Sequence, residues 1–141
     1  MNKKNALFHY TLNSFEKDFP SFGQNFKEFC LSQKLDPAKS VDMELSLEEL
    51  IVNSFNHGNK NGPVTIKAKV NEDGLEAILE DEAPPFNPLE DAPPPPKGEL
   101  ETRKVGGLGI HLVKNLNDRI EYSPLKKGNR ITLFKSIKAS G

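Results

Sequence analysis

The sequence contains very little cysteine, one residue in 141, and no tryptophan. A chain with one cysteine cannot form an intramolecular disulfide, and such usage is typical of a reducing compartment. We therefore expect a cytoplasmic protein. Cys30 lies beside Phe29 and Leu31. Because free cysteines are usually buried, we interpret it as a core residue and not as a reactive thiol.

Long apolar runs are also missing, so the sequence predicts no helix that could span a membrane. The N-terminal stretch "MNKKNALFHY" has lysines but lacks the apolar segment of a signal peptide. No charge of one sign dominates, since 19 Lys and Arg residues stand against 20 Asp and Glu. A protein that binds nucleic acid along its backbone needs a concentrated basic surface, so direct nucleic-acid binding is not expected.

What the sequence does contain is a globular composition, with 35% hydrophobic and 28% charged residues. This length and composition predict one folded domain over residues 1–141. Alternating apolar residues indicate strands, and apolar residues at intervals of three and four indicate helices. The predicted strands are 6–13, 63–70, 75–81, 118–124 and 129–137, and the predicted helices are 21–34, 42–57 and 107–117.

Turn residues divide these elements. Pro37 separates the first two helices, and Gly58 has the position of a helix C-terminal glycine. Asp73-Gly74 and Lys127-Gly128 predict the tips of two hairpins. The resulting order, β-α-α-β-β-loop-α-β-β, predicts an α+β fold. It is a two-layer sandwich of a mixed, mostly antiparallel sheet with three helices on one face.

A long proline-rich segment, residues 82–106, interrupts the pattern. A loop of this length inside a compact domain is usually a functional lid or disordered. The run Pro93 to Pro96 is interpreted as a stiff spacer within the loop, in preference to a polyproline ligand for a partner.

The second helix carries a narrow polar stripe. Glu49, Asn53 and His57 recur at intervals of four, and Asn56 and Lys60 fall on the same side. The rest of the helix surface is apolar and should pack on the sheet. Its apolar residues are Leu47, Leu50, Ile51, Val52 and Phe55.

The stripe has two interpretations. Taken alone, it is most simply a solvated face, with Ser46 and Glu49 forming a capping box. Asn is a poor helix former, however, so Asn53 at this position favours a ligand or a metal-bound water. His57 also has two interpretations. It either forms a polar part of a pocket wall or is a helix-end histidine that interacts with the helix dipole.

Two further segments suggest a ligand site. Asp81 follows a strand, where a carboxylate could accept a hydrogen bond from an exocyclic amine or simply form a turn. In "VGGLGIHLVKNL", glycines precede an apolar helix, which favours a phosphate site but also fits an ordinary helix entry. The spacing is neither a Rossmann fingerprint nor a Walker A loop. The last strand should return beside Asp81, bringing Asn129 or Thr132 to the same pocket.

Together, in this order, these motifs resemble the ATP-binding superfamily that includes gyrase, histidine kinases and mismatch-repair ATPases. The short single-domain form and "GGLGIHLVKNLND" resemble the anti-sigma factor serine/threonine kinases most. The resemblance covers roughly residues 5 to 138. It implies the histidine-kinase-like ATPase fold, with ATP and Mg²⁺ as cofactors.

The resemblance also implies roles for individual residues. Asn53 would hold the Mg²⁺ that bridges the ATP phosphates, and Glu49 would be the general base. Asp81 would bind the adenine amine next to Ala83, and Asn129 would stand near adenine in place of a family threonine. The residues that would wrap the phosphates are Gly106, Gly107, Leu108 and Gly109. Residues 82–106 would form the ATP lid, from which Arg103 or Lys104 would reach the terminal phosphate.

One segment departs from the family pattern. Where the family has Asp-x-Gly-x-Gly, this chain has Asp81-Glu82-Ala83-Pro84-Pro85. Ala83 is small enough for adenine to approach. Pro85 removes a backbone donor and stiffens the turn.

By resemblance, the protein is expected to be an ATP-dependent serine/threonine kinase and anti-sigma regulatory factor. It would phosphorylate a small antagonist protein and sequester a sigma factor or another target, and it could pair as a homodimer. One alternative is a non-catalytic ATP-binding switch whose lid controls a protein partner. Another is an adaptor without a nucleotide. Glu49 favours the kinase, because a pure binding module needs no base there.

Overall fold

A computed structural model describes residues 7–59, 62–91 and 109–137 of the chain. The strands are β1 (Leu7–Leu12), β2 (Val64–Val70), β3 (Gly74–Asp81), β4 (Arg119–Leu125) and β5 (Gly128–Ser136). The helices are α1 (Phe15–Ser32), α2 (Pro37–Asn56), α3 (Pro88–Asp91) and α4 (Gly109–Leu116). No helix within these ranges is long and apolar enough to cross a membrane.

The five strands form one sheet in the order β1-β2-β3-β5-β4. All four strand pairings are antiparallel. The sheet formed by the described strands is therefore purely antiparallel, and not mixed as the sequence predicted. The predicted α+β sandwich is confirmed. Within it, β3 and β5 lie next to each other, and this pairing brings the end of β3 to the start of β5.

The core lies between one face of the sheet and the helices. Along β2, Val64, Ile66, Ala68 and Val70 are buried and alternate with more exposed residues. α2 is the central helix, since it packs against α1, α4 and β3. The largest fully buried side chains of the helices are Phe22, Phe26, Met43, Leu47, Leu50, Ile51 and Ile110. Burying such a side chain contributes about 1.5–3 kcal/mol, so this layer dominates the stability of the fold.

Cys30 belongs to this core, as expected, with only 2% of its surface exposed. Burial raises the pKa of its thiol to about 11, although a hydrogen bond with Ser40 acts in the opposite direction. Because the thiolate is the reactive form, a cysteine with this pKa is unreactive at neutral pH.

Both long helices begin earlier than the sequence predicted. α1 begins at Phe15, with Ser14 as its N-cap, and continues through Pro20. α2 begins at Pro37, which the prediction treated as a separator. Asp36 caps this helix by accepting a hydrogen bond from the Ala38 amide at 3.2 Å. Proline suits the first helical position because its missing N–H would have no partner there.

The earlier start of α2 overturns the predicted capping box. Ser46 lies inside the helix and is fully buried. Its hydroxyl donates to the carbonyl of Asp42 at 2.7 Å and accepts from the side chain of Asn117 at 2.9 Å. Glu49 is therefore free of the structural role that a capping box would have given it.

The β2–β3 hairpin forms as predicted, with the side chain of Asn71 accepting from the amides of Asp73 and Gly74. The last hairpin turns one residue earlier than predicted, since Gly128 is the first residue of β5. Its φ is +110°, and a Cβ at this position would collide with the backbone carbonyl of Asp81. Glycine thus permits the close approach of β5 to the end of β3.

The predicted loop 82–106 is described only up to residue 91, and it includes the four-residue helix α3. α4 is described from Gly109 onward, so its predicted start at residue 107 lies outside the described residues. The remaining predictions for this region lie outside the described residues. They concern Arg103, Lys104, Gly106, Gly107, Leu108 and Pro93 to Pro96.

Candidate nucleotide site

A small cavity lies where the C-terminal end of α2 meets the end of β3 and the start of β5. Its volume is about 20 Å³, which is room for about one water molecule. It brings together five of the residues that the sequence singled out. They are Asn53, His57, Asp81, Ala83 and Asn129.

Asn53 is 5% exposed, and its Oδ1 is buried without a hydrogen-bond partner in the described part of the chain. A buried acceptor without a partner costs about 1–3 kcal/mol, so such an atom is expected to accept from a water or to bind an ion or ligand. An amide oxygen is a ligand that Mg²⁺ accepts, usually together with phosphate oxygens and water. The Asn53 side chain therefore fits the expected metal ion.

Glu49 lies one helical turn before Asn53. It is half-buried, and its Oε2 has no hydrogen-bond partner among the described residues. The carboxylate lies against Gly109, where an added Cβ would overlap Oε2. A missing side chain at the start of α4 thus makes room for the acid on α2. The positive end of the α4 dipole also favours negative charge at this point.

No group of three or more His, Cys, Asp and Glu side chains in ranges 7–59, 62–91 and 109–137 could hold a metal ion. The metal expectation therefore rests on the Asn53 oxygen and on the phosphates that would accompany the ion. Mg²⁺ is commonly bound in this way, through few protein ligands and several phosphate or water oxygens.

Asp81 is buried at the end of β3 and has four hydrogen-bond donors. Its Oδ1 accepts from the Ala83 amide at 3.2 Å, the Asn129 amide at 3.2 Å and the Asn129 side chain at 2.9 Å. Its Oδ2 accepts from the hydroxyl of Ser54 at 2.6 Å. The sequence interpretation missed Ser54. It falls on the side of α2 that the helical pattern assigned to apolar residues, so the sequence alone contained no signal for it.

Asn129 fixes the turn that follows Asp81. Its Nδ2 donates to Asp81 and to the carbonyl of Pro84 at 3.2 Å, while its Oδ1 accepts from the Phe86 amide at 3.0 Å. Tyr122 also donates to that oxygen. The side-chain amide is thus engaged within the protein, and any contact with a ligand base stays a prediction.

Thr132 does not reach this cavity, contrary to one of the two alternatives for β5. It pairs with Ile78 further along the sheet, and its neighbour Ile131 is the residue that lines the cavity. Successive side chains of a strand point to opposite faces, so Thr132 points away from the helices.

His57 ends α2 and lines the cavity, so both of its sequence interpretations remain open. Its ring stacks on Phe86, with centroids 4.0 Å apart and planes at 16°. The sequence did not single out Phe86. Pro84 packs against Gly58, whose φ is +100°, and this contact holds the same loop over the end of α2.

The rest of the stripe divides between two environments. Asn56 is exposed, as the solvated interpretation predicts, whereas Asn53 on the same side is buried. Lys60 lies outside the described residues.

An antiparallel sheet covered on one face by helices, with this Asn-bearing helix beside a strand-end aspartate, is consistent with the fold that the resemblance implied. The sequence pattern of the histidine kinase-like ATPase domain matches residues 18–135. The chain belongs to the histidine kinase-like ATPase domain family. The superfamily that the motifs resembled is thereby confirmed.

Curated relatives carry the narrower resemblance. The chain is similar to the serine-protein kinase RsbW of Bacillus subtilis (strain 168), with 31% identity over 86 residues, covering 56% of this chain and 54% of the relative. It is also similar to RsbW of Listeria innocua and of Listeria monocytogenes serovar 1/2a. Each of these is 30% identical over 87 residues, covering 57% of this chain and 55% of the relative. The chain spans about half the length of the curated relatives it matches.

Proposed function

We propose that this protein is an ATP-dependent serine/threonine protein kinase that acts on a protein partner. The observation that carries the proposal is the pair Glu49 and Asn53. These residues lie on successive turns of α2, and each has a buried oxygen without a hydrogen-bond partner in the described structure. Buried oxygens without a partner are costly in a folded protein, and a ligand or an ordered water at this place would satisfy them.

The two side chains would have different roles. Asn53 would hold Mg²⁺, which when bound would neutralise charge on the phosphates. Glu49 would orient the hydroxyl of a partner serine or threonine and accept its proton. Help of this kind is typically worth about 10² to 10⁴ in rate. Phosphoryl transfer otherwise depends on positioning and charge neutralisation. Glu49 and Asn53 would therefore make the main contributions to catalysis among the described residues.

The base would bind at the other end of the cavity, at Asp81 and Ala83. Gly109, at the start of α4, would contact the phosphates together with Gly106, Gly107 and Leu108. This division follows the resemblance stated above. The clustering of Asp81, Ala83 and Asn129 around one cavity supports it.

The proposed partners are a small antagonist protein, as the phosphate acceptor, and a sigma factor or other target that the protein sequesters. By this proposal the protein is an anti-sigma factor in transcription regulation. We also propose that it is cytoplasmic and able to form homodimers. Support comes from the sequence resemblance and from relatives whose name is serine-protein kinase.

One observation favours the alternative, a non-catalytic ATP-binding switch. The cavity is far smaller than the ligand pockets of about 300–1,000 Å³ that are usual in proteins. His57 and Phe86 stack at its wall, so a nucleotide needs a rearrangement of this loop. A protein whose loop must move on binding could transmit that movement to a partner without any transfer.

Calorimetry with Mg-ATP tests the site on wild type, Asn53→Ala and the control Asn56→Ala, which alters an exposed asparagine on the same stripe. We expect micromolar binding that only Asn53→Ala abolishes. Labelled ATP and a lysate of the source cells then test transfer. Acid-stable label in protein that disappears with Glu49→Ala supports the kinase, and binding without label supports the switch. No binding at millimolar ATP would leave only the adaptor.

A further inference from the structure

Asp81 has unused acceptor capacity on one oxygen only. A carboxylate oxygen accepts about two hydrogen bonds, and Oδ1 already has three donors, from Ala83 and from the backbone and side chain of Asn129. Among the residues that the structure describes, Oδ2 has a single donor, the Ser54 hydroxyl. A ligand that bonds to Asp81 would therefore use Oδ2, the oxygen that Ser54 holds.

The Ser54 hydroxyl is itself oriented by a second buried residue. Its Oγ accepts from the Nδ2 of Asn59 at 3.0 Å, and the same nitrogen donates to the carbonyl of Pro63 at 3.3 Å. A hydroxyl has one hydrogen. Since Asn59 donates to this oxygen, the hydrogen is left for Asp81, only 2.6 Å away. Ser54 and Asn59 are both buried, so bulk water has little access to these bonds.

We propose that Ser54 is the positioning residue for base recognition: with Asn59 behind it, it holds Asp81 Oδ2 toward the cavity as the acceptor for an amine of the ligand base. This inference rests on the proposed function, because it assumes that a nucleotide binds there. Ser54 need not touch the base. It acts through Asp81, and it fixes which of the two carboxylate oxygens faces the ligand.

The arrangement determines what the site rejects. A base with a carbonyl at the same position would bring an oxygen against a carboxylate oxygen, and neither could donate. A base with a hydrogen atom in place of the amine would donate nothing to the buried Oδ2, which could still accept one more hydrogen bond. Sites built around a specific hydrogen bond discriminate strongly against analogues that lack it. A loosely held carboxylate could turn away and lose this discrimination.

The test compares three ligands by calorimetry: Mg-ATP, the triphosphate of purine riboside, which lacks the amine, and Mg-ITP, which carries a carbonyl. The variants are Ser54→Ala, Ser54→Thr and the control Ser123→Ala, an exposed serine on β4. We expect Ser54→Ala to weaken the affinity for Mg-ATP about tenfold, the usual scale for one hydrogen bond to a charged group. The affinity for purine riboside triphosphate should change less than about twofold. Ser54→Thr keeps the hydroxyl and should restore most of the ATP preference.

Ser54→Ala also leaves Asn59 without one acceptor and could lower stability, so thermal unfolding is measured on each sample. Asn59→Ala is the second variant. Like Ser54→Ala, it should lower the ratio of the affinity for Mg-ATP to the affinity for purine riboside triphosphate, because the serine hydroxyl then loses its orientation.

The outcomes separate the two levels of the argument. If wild type binds ATP with no preference over the other two triphosphates, the inference is wrong while the nucleotide site stands. The inference is also wrong if Ser54→Ala weakens the binding of all three ligands equally, which is what a merely structural role predicts. It is wrong as well if the substitution weakens the binding of none of them. If folded wild type binds no triphosphate at millimolar concentration, the proposed function fails and the inference fails with it.

Discussion

The carboxylate of Glu49 on α2 lies directly against Gly109, the first residue of α4, at the place where a side chain on that glycine would be. A single hydrogen in place of a methyl group therefore decides whether the acid can occupy its position. The contact joins the helix that carries the proposed base to the helix that follows the glycine-rich segment.

This contact gives the first prediction. Gly109→Ala should push the Glu49 carboxylate away, because the added Cβ would overlap Oε2. Gly109 does not have a positive φ, and Ala favours a helix over Gly by about 0.5–1 kcal/mol, so the protein should fold at least as well. Phosphate transfer to partner protein should fall at least about tenfold, toward the loss expected for removing a general base. Transfer at the wild-type rate in a folded Gly109→Ala protein would rule out Glu49 as the base.

The second prediction concerns the stacked pair Phe86 and His57. Phe86→Ala removes the ring that covers His57 and should open the cavity, so that a larger fraction of the protein is ready to bind. Apparent ATP affinity should rise about threefold to tenfold, since affinity scales with the competent fraction. Calorimetry and stopped-flow binding measure this, with Phe134→Ala, at a position on β5 away from the cavity, as the matched control. Weaker binding by Phe86→Ala would mean that the ring supports the base instead of covering its site.

The third prediction concerns pH. Burial, the charge of Glu44 and a hydrogen bond with Glu44 together raise the pKa of Glu48 from the usual 4.5 to about 7, although Lys27 acts in the opposite direction. The folded state therefore keeps a proton that the unfolded chain releases above pH 4.5. It follows that the free energy of unfolding decreases as pH rises from about 4.5 to about 7 and then levels off.

Thermal unfolding of Glu48→Gln between pH 5 and pH 8 checks this. The variant mimics the protonated carboxyl, so it should match wild type near pH 5 and exceed it in melting temperature near pH 8. Glu121→Gln, on an exposed position of β4, is the control. A difference from wild type that stays constant with pH would show that Glu48 does not titrate in this range.

The fourth prediction concerns Asn129. Its replacement by Ala leaves the buried Asp81 carboxylate with fewer donors and the Phe86 amide without its acceptor. We expect a loss of about 2–4 kcal/mol in the free energy of unfolding, the scale of a few broken buried hydrogen bonds. Urea denaturation measures it against Asn115→Ala, an exposed asparagine on α4. A change below about 1 kcal/mol would mean that the turn after Asp81 is held by other contacts.

Much of the fold could be predicted because hydrophobic periodicity depends directly on burial. β2 alternates in the sequence as it does in the sheet, and all five strands form near their predicted positions. The helix starts were harder. Pro37 looks like a separator in the sequence, yet it is a good first residue of a helix once Asp36 caps it.

The sequence indicated the candidate site only through several motifs taken together. Asn53 within a helix favoured a ligand, whereas Asp81 after a strand was explained at least as simply by a turn. Ser54 and Phe86 were missed because a serine in a helix and an aromatic in a proline-rich loop are unremarkable until the partner is known. Their roles depend on β3 and α2 meeting, which involves contacts between residues far apart in the chain.

α2 has a consequence for the size of the ligand. Glu49 and His57 lie on the same helix eight residues apart, which corresponds to about 12 Å along its axis at 1.5 Å per residue. The distance between the group that would act on phosphate and the end that would receive the base is thus set by one rigid element. The proposed base Glu49 and the base-binding end of the cavity are therefore held at a fixed separation. A ligand that contacts both must be long enough to span about two turns of a helix.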